Sequence, residues 1–182
     1  MLPKLALDTN VAAYVVEALE LGYTPFEDLQ KDLILDRIAA FRLYVYGGPP
    51  CIVPTVKHEL EETHQPRRWK PFDGTPYRFE EIAATQVDEA SVIARASDYG
   101  RIHRGSQNGR DCRIVAEAEC ADLGVLLTFD LDLRKALGEK TRSIAIRLPS
   151  EYWQDLNLPR GLTPTNPPAP GQVLAMAKWW RW

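Results

Sequence analysis

Four short apolar runs, each followed by a segment of helical periodicity, constrain this chain most. KLALD (4–8), CIV (51–53), VLLTF (125–129) and SIAIRL (143–148) read as buried strands. Between them lie helical patterns. One runs through VAAYVVEALEL, with Asn10 near its cap, to Gly22. A long one over 26–46 carries Phe26, Leu29, Leu33, Leu35, Ile38, Ala39, Phe41 and Val45 at helical spacing. Thr55 caps VKHELEET, Asp88 opens ASVIARASDYG, a helix runs from Asp111 to Leu123, and LDLRKAL is a short last one. Strands alternating with helices predict an α/β domain with a mostly parallel sheet.

The chain of 182 residues is 45% apolar, which suits one cored domain with a short appendage and excludes global disorder. Five of the 14 prolines fall between 159 and 170, an extended arm. Residues 171–182 are a terminal helix or a tail that ends in Lys178-Trp179-Trp180-Arg181-Trp182. Such a tryptophan cluster either docks on its own domain or marks an interface, as in a homodimer. No window approaches 18 unbroken apolar residues, and Asp8 interrupts the start too early for a signal-peptide core, so the expectation is a cytoplasmic protein with no membrane partner. Cys51, Cys112 and Cys120 form no C-x-x-C pair, so reduced thiols are expected rather than a disulfide framework or a zinc site.

Lys and Arg number 22 against 25 Asp and Glu, a net charge of −3, which excludes a polycation that holds nucleic acid by bulk charge. Two local clusters run against that total. RIHRGSQNGRDCR (101–113) holds Arg101, Arg104, Arg110 and Arg113 against the single acid Asp111. The loop 64–80 holds Arg67, Arg68, Lys70 and Arg78, interleaved with Trp69, Phe72, Tyr77 and Phe79. Cations contact phosphates and aromatic rings stack on unpaired bases, so both clusters are candidate RNA contacts; the alternative is a solvated loop whose rings pack on the core. His58, His64 and His103 show no metal-ligand spacing.

Among the acids, position singles out Asp8, Glu59, Asp111 and Asp130. Asp8 and Asp130 follow strands, where functional groups of open parallel sheets gather. The helix from Asp111 advances roughly 18–20 Å at about 1.5 Å per residue. The strand that follows returns roughly 16 Å at about 3.3 Å per residue. Asp130 therefore comes back beside Asp111, and Glu59 lies roughly 6 Å along its own helix at the same edge. Four carboxylates together repel unless a cation joins them, and hard oxygen donors suit Mg²⁺ or Mn²⁺. The chemistry this points to is phosphodiester hydrolysis. Asp132 either assists a metal or caps the short helix, while Glu61, Glu62, Glu119 and Asp122 read as solvated surface charges.

LALDTN (5–10), the Glu in VPTVKHELEE (53–62), NGRDCRIVAEAECADLGVLLTFD (108–130) and LPSEYWQDL (148–156) resemble, in order and spacing, the PIN-domain ribonucleases, a family that includes stand-alone VapC-type toxins. The resemblance implies an α/β/α sandwich over 1–156, followed by the C-terminal extension 157–182. It implies Mg²⁺ or Mn²⁺ held by Asp8, Glu59, Asp111 and Asp130, with Asn10 and Thr128 in supporting positions. The implied activity is endoribonuclease hydrolysis of RNA by a metal-activated water, in the role of a toxin whose cognate antitoxin is a protein partner. The 51 positions from Asp8 to Glu59, the Pro-rich arm and the Trp-rich tail depart from the small toxins. With the four acids set apart, 21 acids face 22 bases, so the negative charge becomes a local acidic pit on a near-neutral protein. Two other readings stay open: a non-catalytic RNA- or protein-binding module on the same scaffold, and a phosphatase using Asp130–Asp132 as its D-x-D.

Overall fold

The structure is a computed structural model that describes residues 4–22, 24–26, 31–63, 79–104 and 108–182. It is an α/β/α sandwich around a five-stranded sheet in which every pairing is parallel. The strands are β1 Leu5–Leu7, β2 Cys51–Ile52, β3 Glu80–Glu81, β4 Val125–Leu127 and β5 Ala145–Arg147, in the order β3-β2-β1-β4-β5. Among the described residues seven α-helices flank them: α1 Thr9–Leu21, α2 Ile34–Tyr46, α3 Pro54–Thr63, α4 Glu89–Ile102, α5 Asn108–Cys120, α6 Leu131–Leu137 and α7 Pro149–Asp155. From β1 the chain builds outward on one side through β2 and β3, then returns to add β4 and β5 on the other. The direction reverses between β1 and β4, and in such sheets the crevice at that reversal is where ligands bind.

Both faces of the central strands are covered, so apolar runs rather than alternation mark them. Ala6, Leu126 and Leu127 are fully buried. α5 is enclosed on nearly all sides, with Ile114, Val115, Ala116 and Ala118 at 0% exposure. Cys51 and Cys112 are buried free thiols, each pushed up to about 11 by burial, and Cys120 is half-buried.

Several elements differ from the sequence reading. β3 went unread because its residues are acidic; it is an edge strand, where charge is tolerated, and Lys4 Nζ pairs with Glu80 Oε1 at 2.7 Å. The helix expected over 26–46 begins later, with a 3-10 turn at Lys31–Leu33 before α2. Phe26 and Leu35 are 58% and 68% exposed, so two members of the supposed apolar stripe face solvent. α3 starts at Pro54, so Thr55 sits in its first turn instead of capping it. α4 continues through Arg101 and Ile102, and α5 opens one turn before Asp111 and ends short of Leu123.

The C-terminal extension folds back on the domain. The Pro-rich arm covers the end of α2, where Thr165 N and Asn166 N donate to the Val45 carbonyl at 3.0 and 2.9 Å. Of the expected terminal helix, only a 3-10 turn, Val173–Ala175, forms. That turn lies against the end of α1, where Gly22 has φ +68° and a Cβ would meet Val173 at 2.7 Å, so both backbone and space require glycine. Arg42 of α2 holds the last residues. It donates to the carbonyls of Trp179, Trp180 and Arg181 and lies 4.9 Å from the Trp182 ring centroid. Trp180 is 4% exposed, and the Trp182 ring packs edge-on against Trp153. Docking on its own domain thus accounts for the tryptophan cluster. Among the described residues, no helix is long and apolar enough to cross a membrane.

Candidate metal centre and nucleic-acid surface

The four acids are carried by different parts of the chain, and coulombic interactions link Asp8 to Asp111 and Glu59, and Asp111 to Asp130 and Glu59. Asp8 ends β1 and caps α1, accepting from Thr9 N at 2.8 Å. Asp130 follows β4 and caps α6, its Oδ1 accepting from Asp132 N and Leu133 N at 2.7 and 2.9 Å. The backbone joins these two ends, since Asp8 N donates to the Leu127 carbonyl at 2.9 Å. Thr128 then links the side chains. Its hydroxyl donates to Asp8 Oδ2 at 2.7 Å and accepts from Asp130 N at 3.0 Å. Glu59, in the second turn of α3, accepts from the Thr9 hydroxyl, and Arg110 Nη1 stands 3.6 Å from its other oxygen.

Electrostatics show how near these groups are. Asp8 is 3% exposed, and burial pushes its carboxyl up to about 6 against the pull of the Thr128 hydrogen bond; the Asp111 and Glu59 charges raise it further. Burial also raises Asp111, followed by the charges of Asp130 and Glu59, with His103 acting in the opposite sense. Asp111 and Glu59 thus act on Asp8, and Asp130 and Glu59 on Asp111. Together they form a pit of negative charge that disfavours ionisation of its buried member, and a cation would relieve it.

The donor set fits a hard divalent cation, because it is all carboxylate oxygen beside a hydroxyl. As placed, the side chains do not form a finished cage. Among the described residues no three His, Cys, Asp or Glu converge closely enough to hold a metal ion. The reason is visible in their hydrogen bonds: Glu59 is turned to Thr9 and Arg110, and Asp8 and Asp130 each cap a helix. Asp132 lies in the first turn of α6, and the capping role considered for it belongs to Asp130.

The basic candidates divide. Arg104 lines a hollow of about 610 Å³ with His103, Lys135, Asp130 and Asp132. Arg110 lies between Glu59 and Glu62, 3.4 Å from the latter. Arg101 pairs with Asp98 at 3.3 Å on the exposed side of α4. Arg113 is spent internally, on both oxygens of Glu89 at 3.0 and 2.8 Å and on Glu117 at 2.9 Å. Arg67, Arg68 and Lys70 lie outside the described residues, as does Arg78.

Two features escaped the sequence reading. Glu117, 1% exposed, accepts from Thr55 N and Thr55 Oγ1 at 2.9 and 2.8 Å, and so fastens the start of the helix that carries Glu59. Glu119, read as a surface charge, is 4% exposed and accepts from Tyr99 Oη, Arg142 N and Ser143 N at 2.6, 2.6 and 3.0 Å. The signal was present in IVAEAE, because glutamates inside a helix apolar on all sides have no solvent to face. The second feature is a cavity of about 900 Å³ on the other side of Asp130, lined by Asn10, Tyr14, Arg37, Phe129 and Lys135 among others. No protein-family model matches the chain, and no curated protein matches it in sequence.

Proposed function

We propose that this chain is a metal-dependent endoribonuclease of the PIN type, a hydrolase that cuts RNA phosphodiester bonds. One observation carries the reading: carboxylates from four parts of the chain gather beside the strand-order reversal, close enough that the Asp111 and Glu59 charges raise Asp8 and the Asp130 and Glu59 charges raise Asp111. An acidic pit of that kind suits Mg²⁺ or Mn²⁺, and the switch-point crevice suits a ligand.

Asp8, Glu59, Asp111 and Asp130 would hold the metal. When bound it would supply Lewis acidity and a lowered pKa for the attacking water. The chain's own groups do the positioning. Thr128 orients Asp8 and ties it to the backbone of Asp130. Glu117 fixes the start of α3, and the Thr9 hydroxyl and Arg110 orient Glu59 on that helix. Arg104 and Lys135, on the rim beside Asp130, meet the phosphates on either side of the cut. Mn²⁺-dependent cleavage of single-stranded RNA that is lost in Asp111→Asn tests the reading. RNA that is bound across a Mn²⁺ titration and never cut would favour the non-catalytic binding module instead.

A role as the toxin of a toxin–antitoxin pair belongs to this proposal. Growth arrest on expression, relieved by the product of a neighbouring gene, supports it; harmless overexpression of the active enzyme counts against it.

A further inference from the structure

The acidic pit does not stand alone on its edge. Two hollows meet at Asp130, and Asp130, Asp132 and Lys135 line both. Their chemistry differs. The smaller one, with Ile102, His103, Arg104 and Ala136 added, is mostly polar, and Arg104 and Lys135 face Asp130 and Asp132 there. The larger, of about 900 Å³, sets Phe129 and an apolar lip of leucines among charged walls that include Glu17, Arg37 and Lys135. In it the Tyr14 and Phe129 rings meet edge-on with centroids 6.0 Å apart, and the Arg37 guanidinium lies 5.6 Å from the Tyr14 centroid. Leu21 and Leu131, 55% and 47% exposed, line the same cavity. These are large apolar side chains left in water at the mouth of a site whose other walls are charged.

We infer that this larger hollow receives a nucleobase of the RNA strand, from the nucleotide adjoining the bond that is cut. The inference rests on the ribonuclease reading and adds to it a substrate subsite. Four facts converge. The volume lies within the roughly 300–1,000 Å³ usual for small-ligand sites. Tyr14 is buried under Arg37, so the half-buried Phe129 ring and the exposed Leu21 and Leu131 side chains are what offer surface to a planar ligand. Asn10 offers an amide that can donate to or accept from a base edge, and it is the second residue of α1, directly after the acid-carrying turn. Contiguity with Asp130 puts the hollow within one nucleotide of any phosphate held at the acids. The strand would thus run with a base sunk on one side of Asp130 and its backbone on the side where Arg104 lies.

The test is a cycle between protein and substrate. A short oligoribonucleotide with a single cut site is compared, in Mn²⁺, with two versions in which the nucleotide on each side of the cut is replaced in turn by an abasic ribose. The protein variants are Leu21→Gln, at an exposed position, and Ala13→Phe, which fills the cavity. One of the two abasic substitutions should raise KM by tenfold or more with the wild-type chain. Each variant should raise KM for the intact oligomer by a similar factor. Combining variant and abasic substrate should cost no more than either change alone. Effects that multiply, or abasic and variant substitutions without effect on KM, overturn the subsite while leaving the ribonuclease reading in place. A wild-type chain that cuts none of the oligomers overturns both.

Discussion

The Thr128 hydroxyl donates a hydrogen bond to Asp8 Oδ2 at 2.7 Å and accepts one from the backbone N–H of Asp130 at 3.0 Å. One buried hydroxyl thereby joins the ends of β1 and β4 at the point where the strand order reverses. Thr128→Val keeps the shape and removes both bonds. A hydrogen bond to a charged group contributes about 1.5–3 kcal/mol, and the orphaned Asp130 N–H adds to the loss. Chemical denaturation at pH 8 should show a loss of that order, and the Asp8 carboxyl should titrate above its present value of about 6.

Asp8 makes stability fall as pH rises. Its carboxyl titrates near 6 in the folded chain and at 3.8 unfolded, so the folded state holds the extra proton between those values. The contribution is complete below pH 3.8 and disappears as pH climbs through about 6. The span corresponds to about 3 kcal/mol. Asp8→Asn should abolish this slope and, at pH 8, raise the stability of the metal-free chain by about 1–3 kcal/mol. Denaturation curves between pH 4 and 8 check both outcomes.

Adding Mn²⁺ at pH 7.5 should raise Tm for the wild-type chain in proportion to the logarithm of its concentration, as any ligand of the folded state does. In Asp8→Asn and Asp111→Asn the rise should shrink or vanish. Equal shifts in all three proteins would mean that the cation binds elsewhere.

Glu117 is a structural acid with a consequence for the site. Glu117→Ala leaves Thr55 N and Thr55 Oγ1 without their acceptor, while Arg113, partly exposed, keeps Glu89. Losing hydrogen bonds to a charged group of this kind costs about 1.5–3 kcal/mol. Glu117→Gln should cost less, because the amide oxygen can still meet Thr55. Calorimetric Tm values for the two variants should fall in that order.

Arg42 secures the C-terminal tail through three carbonyls and the face of Trp182. Arg42→Met keeps the aliphatic stem and removes the donors. Limited proteolysis should then cut between 159 and 178 well before the domain is degraded, whereas the wild-type tail should resist.

The positions of Asp8 and Asp130 were legible because a strand ending in an acid needs only two local patterns, an apolar run and the helix after it. Helix rise and strand rise are fixed by covalent geometry, and the Asp130 charge acts on Asp111. What escaped were features made by distant partners. β3 is two acidic residues that become a strand only by hydrogen bonding beside β2, through Glu80 N to the Pro50 carbonyl and Ile82 N to the Ile52 carbonyl. Glu119 is buried only because backbone groups 23 and 24 residues away turn toward it. The cavity beside Asp130 draws its walls from α1, α2 and α6, and no single segment announces it. Arg113 was read as an RNA contact from the charge of its segment, yet Glu89 and Glu117 claim it.

The most direct measurement is cleavage of a single-stranded oligoribonucleotide by the purified chain in Mn²⁺, set beside Asp8→Asn and Asp111→Asn proteins whose circular dichroism matches the wild type. The expected result is Mn²⁺-dependent cutting by the wild-type chain, abolished by EDTA and reduced at least a hundredfold in both variants. Undiminished cutting by both folded variants would contradict the site, and RNA binding without cutting at any Mn²⁺ concentration would contradict the activity.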